Sequence, residues 1–210
     1  MGVSSLICVF YQGHFVVAQY AQFDGFPQGQ GLKILKFLVV PGNITRLTEG
    51  LENIKYLSME ELDEIYIKVS TMNRNAYEKK AESDPDFPMP VNIFKHLYPS
   101  LSREVGGDIL EMIAQSTPEK KIPHSLELEF ANESFFCEWA YVVDLDNDVF
   151  EVFGGAESKE TATNKRFNDV GQKNDTVPKF VESFAFDDLP QGEPEFIEDL
   201  LKITRTWCGN

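Results

Sequence analysis

The chain changes its hydrophobic period several times. Residues 4–11 (SSLICVFY) and 14–23 (HFVVAQYAQF) are apolar and β-branched, and Gln12-Gly13 between them predicts a β-hairpin. Along the second strand, Phe15, Val17, Gln19, Ala21 and Phe23 share one face, and Val16, Ala18, Tyr20, Gln22 and Asp24 share the other. From Gly31 the spacing becomes helical: Leu32, Leu35 and Val39, with Ile34 and Leu38, predict a helix that ends before Pro41-Gly42. Ile44, Leu47, Leu51 and Ile54 predict a second helix. A third starts at Ser58, where Ser58 and Glu61 form a capping-box pattern, and runs to about Val69.

Residues 71–92 include Pro85, Pro88 and Pro90, which exclude a helix interior and a central strand, so a loop is expected. A fourth helix is expected over roughly 101–115. Gly106-Gly107 inside it costs about 1 kcal/mol per glycine relative to alanine, which implies close packing against a neighbour. The rest is β-rich. Residues 126–130, 134–145 and 149–155 read as a meander, with Asp146-Asn147-Asp148 as a turn. Residues 156–178 are polar and read as a long mobile loop. KFVESFAF gives a last strand and PEFIEDLLKITR a last helix started by Pro194. The order β-β-α-α-α-α-β-β-β-β-α does not alternate. It predicts a single α+β domain over 1–210, with a mainly antiparallel sheet (N-terminal hairpin plus C-terminal meander) packed with helices.

Composition narrows the function classes. Among 210 residues, 42% are apolar, with 17 Phe and 7 Tyr, enough for a sizeable core. The net charge of −15, from 34 acidic against 19 basic residues, opposes broad contact with a phosphate backbone. It suits a cationic ligand, and equally serves solubility. Cys8, Cys137 and Cys208 are odd in number and widely spaced, and the two in strand-like apolar runs read as buried thiols in a reducing compartment. No apolar run reaches the ~18–20 residues of a membrane span, and no basic segment precedes the first strand, so a cytoplasmic protein is expected. HExxH, CxxC and GxSxG are absent from the sequence, which leaves zinc and hydrolase-elbow chemistry without a motif.

Three stretches concentrate polar groups. In QYAQFDGFPQGQG, Gly25, Gly29 and Gly31 around Pro27 make a tight strand-to-helix crossing. Free amides at such a helix start would lie near Asp24 and Tyr20 and could hold an anion or developing oxyanion. The competing reading is a sharp turn that needs positive φ. In FFCEWAYVVD, Glu138 shares a strand face with apolar residues and needs a cation, unless that face is exposed or an internal salt bridge is present. In FAFDDLPQGEPEF, Asp187 and Asp188 precede the last helix with Glu193 and Glu195 behind them, where they could bind a ligand or simply complement the helix dipole.

QYAQFDGFPQGQG followed by an amphipathic helix, then LSREVGGDILEMI, CEWAYVVDLDNDVFEVF and FDDLP, resembles the fungal arginine-containing cyclodipeptide synthases over nearly the whole chain. That family's pattern has two aspartates with an acid three residues after the second; here Gln191 stands where the acid belongs and Glu193 is displaced. The resemblance implies an aminoacyltransferase of secondary metabolism that joins an arginyl and a second aminoacyl group into a cyclic dipeptide. Its partners would be arginyl-tRNA and a second aminoacyl-tRNA, gripped locally, with no membrane. The ester is already activated, so no cofactor and no metal are implied.

Under this reading Asp24 takes the amine proton, with Tyr20, Gln22 and the Gly29–Gly31 amides at the reacting centre. Gln19, Gly29, Gly31, Glu138, Trp139, Asp187 and Asp188 bind substrate, the carboxylates matching a planar guanidinium. The alternatives are a hydrolase or amidotransferase using the same crossing, or a non-enzymatic acidic protein that captures a basic peptide. All the enzymatic readings require Asp24, Glu138 and the Asp187/Asp188 corner to line a single hollow.

Overall fold

The structure, a computed structural model, describes residues 2–81, 93–133 and 135–204. Two strands open the chain, β1 (Ser5–Tyr11) and β2 (His14–Ala21), turned at Gln12-Gly13, both with positive φ. A single π-helical turn over Pro27–Gly31 leads into α1 (Leu32–Leu38), followed by α2 (Asn43–Gly50). Then come a short strand β3 (Ile54–Tyr56), α3 (Met59–Ala81), α4 (Ile93–Leu97) and α5 (Asp108–Ala114). Strand β4 (Ile122–His124) pairs in parallel with β3. The chain closes with β5 (Trp139–Asp144), β6 (Val149–Ser158), β7 (Thr176–Ala185) and α6 (Glu193–Thr204).

The main sheet has the order β2-β1-β5-β6-β7. All its pairs are antiparallel except β1 with β5 at the centre, so the domain is α+β as expected. Both faces of the central strands are covered, which explains why LICVF and AYVV are apolar without interruption. On one face Ile7, Val9, Tyr141, Val143 and Phe150 pack under Ile34 and Leu35 of α1, Ile109 and Ile113 of α5 and Phe196 of α6. On the other, Leu6, Cys8, Ala18, Ala140, Val142 and Phe153 lie under Ala131, Ala162, Phe167 and Val170.

That second layer overturns the expectation of a mobile 156–178 loop. Its ends extend β6 and begin β7, and the remainder folds down as a cover. Phe167, 1% exposed, stacks on Phe15 at 5.3 Å and meets the Phe153 ring edge-on at 5.1 Å. One buried phenylalanine stabilises by about 1.5–3 kcal/mol, enough to pin a segment that otherwise reads as polar. Lys159, 6% exposed, bonds the carbonyls of Val170 and Gln172, which closes the cover into a loop of its own.

Other boundaries also move. Residues 126–130, expected as a strand, enter a 3-10 turn over Leu128–Asn132. The 101–115 helix shrinks to α5, because Gly106 sits at φ +50° and the chain turns there. The third helix runs on to Ala81 instead of stopping near Val69, while the proline-rich 82–92 part of the expected loop lies outside the described residues. Its start keeps the capping box, with Glu61 N–H to Ser58 Oγ at 3.2 Å and Ser58 N–H to Glu61 Oε2 at 2.9 Å.

The outer edge of β2 is closed by other parts of the chain. The Val16 carbonyl accepts from the Tyr56 hydroxyl at 2.9 Å, and Ala18 N–H donates to His124 Nε2 at 3.2 Å. Glu127 N–H donates to the Ala18 carbonyl, and Tyr20 N–H to Glu127 Oε2 at 3.0 Å. Gln22 N–H ends the series on the Arg103 carbonyl at 2.9 Å.

Candidate functional site: a covered cavity and a split acidic set

The glycine bend is built for packing. Positive φ falls on Asp24 (+55°), and Gly25, Gly29 and Gly31 do not have it. A Cβ at Gly29 would fall on the Asp24 carbonyl, and one at Gly31 would stand 2.9 Å from the Tyr141 ring. The amides expected to be free are engaged: Gly29 N–H donates to Phe26 O at 2.9 Å and Gln30 N–H to Asp24 O at 2.8 Å. Tyr141, wholly buried, donates its hydroxyl to the Gly25 carbonyl at 2.8 Å. Gln30 bridges outward, bonding Phe23 O and accepting from Gly107 N–H at 2.8 Å. That bridge is the close packing the Gly106-Gly107 pair implied.

Register places the remaining expected residues. Asp24 follows β2 and Glu138 precedes β5 at the sheet end where Ala21, Ser5 and Trp139 align. Both side chains are exposed, so Glu138 has no buried charge to neutralise; residues 135–136 form a turn, 137–138 are irregular, and the strand alternation that put Glu138 among apolar neighbours starts only at Trp139. Trp139 is half-buried, stacks on Tyr141 at 6.5 Å and lies against Gly154. Asp187 and Asp188 follow β7 at the opposite end, where Ala185 pairs with Val149 and Phe186 N–H reaches Asp148 O. Five strand steps separate the ends, roughly 16 Å at ~3.3 Å per residue. The single hollow expected from Asp24, Glu138 and Asp187/Asp188 is therefore not formed. Gln19 and Tyr20 are also committed: Gln19 is buried with its amide on Tyr20 O and Ser102 O, and the Tyr20 ring rests against Phe130 at 4.5 Å. Gln22 is exposed beside Arg103.

The structure opens a different cavity, of about 670 Å³, between the hairpin and the cover. Phe10, Phe15, Leu126, Leu128 and Val170 supply its apolar walls, and His14, Lys165, Arg166 and Asp169 its polar ones. Sequence reading missed it because the cover was expected to be loose. Arg166 is the fixed element. Its guanidinium lies 4.5 Å over the Phe10 ring, donates through Nε to Glu151 Oε2 at 2.7 Å, and pairs with Asp144 Oδ2. Asp144 is 0% exposed and Glu151 is 6% exposed, so the ion triad is buried. Burial by itself would raise the Asp144 carboxyl; the Asn147 hydrogen bonds and the Arg166 charge outweigh it and hold the pKa below the ordinary value. Asn164 completes the set, with Nδ2 on Glu151 Oε1 at 3.1 Å and Oδ1 accepting from Arg166 N–H at 2.8 Å. The signal available in sequence was a lone arginine within a polar run, facing acids on β5 and β6 that only strand pairing brings together.

Among the described residues no group of three or more His, Cys, Asp or Glu is arranged to hold a metal ion, and no helix is long and apolar enough to cross a membrane. A scan against protein-family models matched none, and searches among curated proteins and solved structures found no similar sequence or fold.

Proposed function

We propose that the protein binds a small, flat, largely apolar molecule with a polar edge in the cavity between the hairpin and the cover. The observation that carries this is the 670 Å³ volume, within the ~300–1,000 Å³ of small-molecule sites. The walls are already set: Phe15 is clamped by Phe10 and Phe167, and Arg166 by two carboxylates. Little ordering entropy then opposes binding. Because Asp144 and Glu151 answer the Arg166 charge, the site favours a neutral apolar body over a bare anion. His14 and Asp169 stand among its lining groups to meet a hydroxyl or amide edge.

The test titrates 2-naphthol into the protein and follows amide shifts by NMR. Shifts at Gly13–Phe15, Leu126–Leu128 and Lys165–Arg166 are expected, and Leu128→Trp, which fills the cavity, should abolish them. Absence of shifts there, or their persistence in Leu128→Trp, would overturn the proposal.

A second proposal is synthesis of an arginine-containing cyclic dipeptide from aminoacyl-tRNAs. What favours it is that Asp24 and Glu138 are exposed at the same end of the sheet, two strands apart. It would have to proceed without Asp187 and Asp188, and so without the single hollow that the sequence reading required, at the Asp24–Glu138 end of the sheet alone. Incubation with arginyl-tRNA and mixed aminoacyl-tRNAs, followed by mass spectrometry for cyclic Arg-containing products, decides it: product supports it, and hydrolysed tRNA without product removes it.

A further inference from the structure

A smaller hollow of about 230 Å³ lies on the far side of β2 from the sheet centre, bounded by Gln22, Tyr66, Phe94, Leu101, Ser102 and Arg103. We infer that it binds a benzoate-sized carboxylate, received by the Arg103 guanidinium against the Tyr66–Phe94 wall. Arg103 is exposed, and among the described residues its guanidinium has no hydrogen-bond acceptor. Instead the group rests 5.4 Å from the centre of the Tyr20 ring. A guanidinium offers five N–H donors in a rigid fork that matches a carboxylate in bidentate fashion. Its place beside the Tyr20 ring leaves those N–H donors for a ligand in the adjoining hollow.

The support is well anchored. The Tyr20 ring is braced by Phe130, and its backbone is tied to Glu127. Arg103 itself is fixed at its carbonyl by Gln22 N–H, so its Cα cannot drift from the strand edge.

Among the described residues no acid makes a direct hydrogen bond or ion pair with Arg103, although Glu127 feels its charge. Glu104 pairs with Lys95 at 2.7 Å. Glu127 is half-buried and spends Oε2 on the Tyr20 amide; burial raises its carboxyl above the ordinary value, against the pull of that hydrogen bond and of the Arg103 charge. Among the same lining residues, the Tyr66 and Phe94 rings stack on each other at 5.1 Å with planes 7° apart. A planar acid can therefore lay its ring on an aromatic face while its carboxylate meets the fork. The volume falls below that of drug-sized sites, which limits the ligand to one ring or the end of a chain.

The experiment titrates sodium benzoate, with benzyl alcohol as the neutral isostere, against the full-length protein and follows amide shifts by NMR. Benzoate is expected to shift Gln22, Ser102, Arg103 and Glu104, and benzyl alcohol to leave them unmoved. Arg103→Lys should weaken the benzoate effect about tenfold, since a point cation replaces a bidentate fork, and Arg103→Met should remove it. Equal response to the two probes, shifts confined to the hairpin cavity, or unchanged binding in Arg103→Met would each overturn the inference. Because the probe comparison uses the unmodified protein, it stands whether or not the variants fold.

Discussion

His124 makes the stability of this protein dependent on acid in a way that can be worked out in advance. Its side chain is 0% exposed, and Nε2 accepts the Ala18 amide at 3.2 Å, which places the ring proton on Nδ1. Nδ1 has no partner among the described residues. Burial pushes the imidazole pKa down to about 4 from an ordinary 6.5. Protonation would turn the acceptor at Nε2 into a donor facing another donor, in a buried site. The unfolded chain therefore takes up a proton near pH 6.5 and the folded chain only near 4, so stability is fully present above 6.5 and falls as pH drops through that window. Between pH 7 and 4.5 the loss from this residue alone is about 2.4 kcal/mol, at 1.36 kcal/mol per pH unit. With a urea slope of about 2 kcal/mol/M, the midpoint should fall by about 1.2 M. The measurement is urea unfolding followed by tryptophan fluorescence at both pH values, for the native protein and for His124→Gln. The glutamine can still accept from Ala18 through its carbonyl but does not titrate, so the variant should lose about 2.4 kcal/mol less over the same interval. Equal losses in the two proteins would show that His124 is not held neutral by the fold.

Two further substitutions probe the packing. Arg166→Met leaves Asp144 and Glu151 buried without a cation and should cost about 3–5 kcal/mol, read as a drop in urea midpoint at pH 7; a loss under 1 kcal/mol would mean that the triad is open to water. Gly29→Ala drives a Cβ onto the Asp24 carbonyl and should destabilise by about 1–3 kcal/mol. The 2-naphthol shifts of the hairpin cavity, at the other end of β2, should survive that change.

The strands could be read from the sequence where burial on both faces imposed continuous apolar runs, as in β1 and β5, but the parallel pairing of those two could not. What could not be read was whatever depends on contacts distant in sequence. LELEF alternates like a strand, yet Glu127 is drawn out of any ladder by the Tyr20 N–H and the Ala18 carbonyl, and the chain curls into a 3-10 turn. The 156–178 segment is polar by count, and a single phenylalanine with one arginine decides its conformation. At the glycine bend, composition correctly marked a special crossing but not its purpose. Gly29 and Gly31 make room for a carbonyl and an aromatic ring, while the left-handed residue is Asp24. The acids failed to converge because Asp24 and Asp187 trail strands that run in opposite directions, so they leave the sheet at different ends. Periodicity reports which face a residue takes; it says nothing of which end.

A β-sheet whose last strand offers bare amides invites a second molecule to add another strand, and growth of that kind has no natural limit. Here that margin is occupied by a tyrosine, a histidine, a glutamate and an arginine carbonyl from three separate stretches of chain. The same proton that unseats His124 strips one of those clasps, coupling acid unfolding to self-association. Acid that protonates His124 would therefore bare the Ala18 amide on the β2 margin.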